Sequence, residues 1–141
     1  MRRWNISSGA PWEDRVGYSR AVRAGVHVFV SGTAAVGHDG GIVGEGDAHA
    51  QTIRAFEIVE QALAQAGASL EDVVRTRMFV IDMADSEKIG QAHARFFGDT
   101  RPATTLVEVS RLIDSRMLVE VEAEAIVGSA RERDGAAETD G

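Results

Sequence analysis

The segment Val119-Glu120-Val121-Glu122-Ala123-Glu124-Ala125-Ile126 alternates apolar and polar residues almost without a break. Successive side chains of a strand point to opposite faces, so this pattern commits the chain to a sheet with one face covered and the other wetted. Val119, Val121, Ala123 and Ala125 take the covered face, and Leu118, Glu120, Glu122, Glu124 and Ile126 take the other. Three carboxylates in one row repel each other unless water or cations reach them. At a two-residue spacing they stand about 7 Å apart, which suits paired acid/base chemistry and is equally ordinary on a solvated strand face.

A chain of 141 residues is expected to form one domain. Tyr18 to Ser31 reads as a hairpin turning at Gly25, and His38-Asp39-Gly40-Gly41 with Gly44 and Gly46 as a plain loop, since it lacks phosphate-loop spacing. Asp47 caps a helix running to Ala66, with Ile53, Phe56, Val59 and Leu63 on its apolar face and Gly67 at its end. Ser69 and Asp72 form a capping-type turn before a strand over 74–81. A second helix starts at Asp85 or Ser86, buries Ile89, Ala92, Phe96 and Phe97, and stops at Gly98. Strands over 104–109 and 117–127 complete an α+β order in which two helices cover one face of a single mixed sheet. The other face needs a partner.

The domain is assigned to residues 1–127, and residues 128–141 are expected to be a mobile acidic tail. From Ser129 onward there is no large apolar residue to offset the entropy of ordering. The net charge is −7, so acidity belongs to the body as well as to the tail, and the absence of a basic stripe argues against nucleic acid as a partner. There is no cysteine, which excludes disulfides, thiol catalysis and thiolate metal sites. No signal-peptide or membrane-spanning run is present, so a cytoplasmic location with no membrane partner is expected.

Other candidate chemistry is sparse. His27, His38, His49 and His93 show no ligand spacing, and no metal is expected. Ser31, in Val30-Ser31-Gly32-Thr33, lacks the Gly-x-Ser-x-Gly context of a nucleophile elbow and reads as a turn residue. Trp4 and Trp12 are expected to pack on the body or on a neighbouring subunit. Arg101-Pro102 stiffens the approach to the next strand.

Four segments together carry a resemblance: Val16-Gly17-Tyr18-Ser19, Val30-Ser31-Gly32-Thr33, Arg101-Pro102-Ala103-Thr104-Thr105-Leu106-Val107-Glu108-Val109 and Val119-Glu120-Val121-Glu122-Ala123. Over roughly residues 15–127 the chain resembles the reactive intermediate deaminase family, also called RidA or YjgF. The resemblance implies a chorismate-mutase-like fold and a homotrimer, with helix-free sheet faces meeting in a central barrel and clefts between subunits. In deaminating members these clefts take a small metabolite, an enamine or imine such as 2-aminoacrylate, and hydrolyse its C–N bond to a keto acid and ammonia with no cofactor. It implies that Glu120 positions or activates water, and that Tyr18, Ser31 and Gly32 shape the pocket.

The sequence departs from that pattern at the residue after Pro102-Ala103. There the resemblance implies an arginine that clamps the substrate carboxylate, and this chain has Thr104. Losing a charge-assisted anchor costs roughly 1.5 to 3 kcal/mol. Gly90 stands where deaminating members often carry asparagine. Thr104, Thr105 and the Ser31-Gly32 backbone are then expected to bind substrate oxygens, and Arg77 is a candidate replacement for the clamp, with Arg75 and Arg111 comparable. An imine-hydrolysing trimer and a non-catalytic metabolite-binding or regulatory trimer both remain open.

Overall fold

The computed structural model describes residues 1–130. Its strands are β1 (Arg3–Ile6), β2 (Ala21–Ala24), β3 (His27–Thr33), β4 (Val73–Val80), β5 (Ala103–Glu108) and β6 (Val119–Ile126). Its helices are α1 (Pro11–Val16), α2 (Ala48–Gln65) and α3 (Ser86–Phe97). All six strands form one sheet in the order β1-β2-β3-β6-β4-β5. Neighbours are antiparallel except β4 and β5, which run parallel with α3 as their crossover.

The two long helices cover one face, as the alternation in β6 requires. Val119, Val121, Ala123 and Ala125 are at most 1% exposed and join Val28, Val30 and Val80 beneath Phe56, Val59, Leu63, Ile89 and Phe97. Burying a side chain of this size is worth about 1.5 to 3 kcal/mol, so this layer is what holds the helices to the sheet. The acidic residues of β6 stay half-buried on the helix-free face.

The sequence reading left out two N-terminal elements. Residues Arg3–Ile6 add an edge strand to β2, and Pro11 opens a six-residue helix ended by left-handed Gly17. Both are short and one flanks an exposed edge, so neither has the apolar periodicity that marks an element in sequence. The guanidinium groups of Arg2 and Arg23 lie over the Trp4 ring, 4.1 and 5.0 Å from its centre, while Trp12 is 53% exposed within the protomer.

Local signals fared well elsewhere. Asp47 accepts from the Ala50 amide at the start of α2, and the Asp72 carboxylate of the Ser69–Asp72 capping turn accepts from the Ser69 amide at 3.0 Å. Asp85, in contrast, makes no side-chain cap for α3. Gly98 follows α3 in right-handed conformation, and the reversal falls on Arg101, the one non-glycine residue with positive φ among those described (54°). After β6 the Gly128 amide donates to Asp72 and the Ser129 hydroxyl to the Ile126 carbonyl. Residues 131–141, most of the expected tail, lie outside the described residues.

Candidate functional site

The β3–β6 pairing breaks register between Val30 and Thr33, where three steps along β3 match two along β6. The extra residue is a β-bulge at Ser31-Gly32, a device that re-aims backbone groups beside functional sites. Arg20 fills it: its Nη2 donates to the carbonyls of Ser31 and Gly32, 2.7 Å each, and the Ser31 hydroxyl donates to the Ser19 carbonyl at 2.6 Å. The Arg20 Nε is buried with no partner, and burial lowers the guanidinium pKa.

Glu120 lies directly over this bulge. A Cβ on residue 32 would come 3.1 Å from the Glu120 carboxyl carbon, so glycine is what allows the carboxylate to settle there. Upstream, buried Gln51 fixes the entry to β6, accepting from the Leu118 amide at 2.8 Å while donating to the carbonyls of Arg116 and Gly44. Burial raises the Glu120 pKa above 4.5; the Arg20 charge opposes that shift and Glu122 adds to it. Among the described residues no side chain hydrogen-bonds this carboxylate. Tyr18, 39% exposed and close enough to Arg20 to act on its charge, completes the group.

A second group stands on the other side of the sheet. Thr104 is paired with Thr76 across β4–β5, and their hydroxyl oxygens are 2.8 Å apart. Thr76 is fully buried beneath the helices, and its hydroxyl lies 2.8 Å from Nε2 of His93. The His93 ring packs edge-on to Phe56 and tilted to Phe97, and burial lowers its pKa. This histidine, one of the four without ligand spacing in the sequence, ends a polar chain running from the edge strand into the core. Gly90, one helical turn before His93 in α3, has open space where a side chain would begin.

Thr105 takes the opposite face from Thr104, in register with Arg77. Arg77 pairs with Glu124 at 2.9 Å and lies 3.9 Å from Glu122. Its charge is therefore already engaged by the glutamate row. Within one protomer the expected site residues thus fall into three places: Tyr18, Ser31, Gly32 and Glu120 at the bulge; Thr104 and Gly90 on the helix side; Arg77 and Thr105 mid-face. Sequence reasoning missed Arg20, Thr76 and His93. The spacing Tyr18-Ser19-Arg20 was the available signal for the first, whereas the other two meet only through the fold.

A cavity of about 640 Å³ near Leu70, Glu71, Arg95, Phe96 and Gly98 shares no residue with any of these groups. Among the described residues no group of three or more histidines and carboxylates could hold a metal ion, and no helix is long and apolar enough to cross a membrane.

The family model described as endoribonuclease L-PSP matches residues 10–127, a span containing every one of these groups. The chain belongs to the L-PSP/YjgF/RidA family. A Mycobacterium tuberculosis structure described as a member of the highly conserved YjgF/YER057c/UK114 family is 48% identical, with a TM-score of 0.81 covering 89% of this chain and all of that one. An uncharacterised Streptomyces coelicolor protein is 44% identical over 88% of this chain and 92% of its own length. The 3-aminoacrylate deaminase RutC of Acinetobacter baylyi is 36% identical over 74% of this chain and 82% of its own. The α+β fold with helices on one sheet face is thus the fold of the YjgF/RidA family.

Proposed function

We propose that this chain works as a homotrimer whose intersubunit clefts bind a small carbonyl- or imine-type metabolite, and that Glu120 drives hydrolysis of its C=N bond. The observation that carries this reading is the state of Glu120. A half-buried carboxylate with a raised pKa and no hydrogen-bonding side chain, held over a glycine beside an arginine, is placed to take and return a proton. Similarity to a 3-aminoacrylate deaminase supports the same reaction class.

The chemistry needs no cofactor. Ionised Glu120 removes a proton from water as the water oxygen bonds to the imine carbon, and the C=N electron pair moves to nitrogen. The Glu120 carboxyl returns that proton to nitrogen to complete the carbinolamine, which collapses as its hydroxyl proton passes by way of Glu120 to nitrogen: the C–N bond breaks, leaving a carbonyl and ammonia. Arg20 holds the Ser31-Gly32 bulge rigid under Glu120, and its charge opposes the rise that burial gives the Glu120 pKa. Thr104 and Gly90, on the opposite sheet face, line the cleft from a neighbouring subunit. The test is ammonia release from freshly generated 2-aminoacrylate. Turnover above the uncatalysed rate that Glu120→Gln abolishes supports the reading, and unchanged turnover in that variant rejects it.

Thr104 favours a second reading, a binding or regulatory trimer whose clefts hold a metabolite without converting it. A threonine cannot make the two-point ion pair of an arginine with a carboxylate. Binding accompanied by only the uncatalysed rate of ammonia release would select this alternative.

A further inference from the structure

The hydrogens along the Thr104–Thr76–His93 chain can be assigned by counting. The Thr104 hydroxyl donates to the Pro102 carbonyl at 3.0 Å, and that carbonyl can only accept. Each hydroxyl has a single hydrogen. With the Thr104 hydrogen spent on Pro102, the 2.8 Å contact to Thr76 is a hydrogen bond only if Thr76 donates. With the Thr76 hydrogen spent in turn, its 2.8 Å contact to His93 requires a hydrogen on Nε2. One arrangement alone satisfies all three contacts: His93 Nε2–H to Thr76, Thr76 to Thr104, Thr104 to Pro102. Thr104 is exposed, so one lone pair of its oxygen remains for a ligand.

We propose that Thr104 presents a hydrogen-bond acceptor to the cleft, and that the site selects metabolites with an uncharged N–H or O–H donor at this end, a carboxamide or hydroxyl, over carboxylates. This inverts the polarity an arginine would give the same position. It rests on the reading above in placing the ligand beside Thr104. A carboxylate oxygen set against the remaining lone pair would be repelled, and turning the Thr104 hydrogen outward would break the bond to Pro102.

Two measurements on the full-length protein test it. Long-range proton–nitrogen NMR reads the His93 tautomer directly; hydrogen on Nε2 is expected, and hydrogen on Nδ1 overturns the assignment. Calorimetric titration then compares 2-oxobutanamide with 2-oxobutyrate. The amide is expected to bind about tenfold more tightly, Thr104→Val to erase that preference, and Thr104→Ser to retain it. Equal binding, tighter binding of the acid, or no binding of either overturns the proposal. Amide-induced NMR shifts at Thr104 and His93 but none at Gly32 or Glu120 would leave the acceptor assignment standing while removing the shared-cleft reading.

Discussion

Glu120 and Thr104 stand on opposite faces of the same sheet, Glu120 with the wet row of β6 and Thr104 bonded to a threonine buried under the helices. One protomer therefore cannot bring them to one small molecule, whereas neighbours packed around an axis can. Mixing Glu120→Gln, which lacks turnover, with Thr104→Val, which weakens ligand binding, should then raise activity above the average of the two variants. If subunits exchange at random, about a quarter of the clefts recover both native residues. No recovery after confirmed exchange would place the two residues in separate sites.

Glu120→Gln should lower turnover at least about a hundredfold while leaving the assembly intact. Its effect on stability depends on pH. Because the folded pKa is raised above 4.5, the carboxyl's favourable contribution is whole below the unfolded pKa and is lost as pH rises through the folded one. Gln mimics the protonated state. Thermal melting should find the variant matching the native protein near about pH 4 and exceeding it near about pH 8; the opposite order would contradict the burial-driven shift.

Arg20→Met removes two short charge-assisted bonds from the Ser31-Gly32 bulge. Urea unfolding should show a loss of about 2 to 4 kcal/mol. The acid limb of the turnover profile should also move to higher pH, since Glu120 loses the positive charge that opposes its burial. A purely structural arginine would leave that limb in place.

Arg77 pairs with partners more than a third exposed, so Arg77→Ala should cost the protomer no more than about 1 kcal/mol. It leaves Glu122 and Glu124 without their cation beside Glu120. Sedimentation should then show weakened association at neutral pH that salt or mild acid restores. Association indifferent to salt would mean that the row does not lie at the interface.

Thr104→Arg puts a cation at the position where the resemblance implies a carboxylate clamp. Hydrolysis of 2-aminoacrylate should rise by a factor of about ten to a hundred and fifty. An unchanged rate would show that Thr104 does not face the substrate.

Much of this architecture was readable from local patterns. The alternation of β6 specified two unlike faces, and Asp47 and the Ser69–Asp72 box marked starts because capping chemistry is local. The N-terminal strand and helix were not readable, since four and six residues carry too little periodicity. Position mattered most for the site. Arg20 became informative only once the bulge put two carbonyls before it, and His93 only once α3 laid it on Thr76, contacts made by folding over long sequence separations. The sequence grouped Thr104 and Thr105 with the Ser31-Gly32 backbone, and within one protomer the pleat turns the two threonines to opposite faces.

Native mass spectrometry at low micromolar concentration tests most directly whether the two groups of residues meet. The account predicts a dominant species of three chains, each of 15.1 kDa, whose association weakens when Arg77→Ala leaves Glu122 and Glu124 without their cation. A folded single chain under the same conditions, with activity or ligand binding intact, would contradict it.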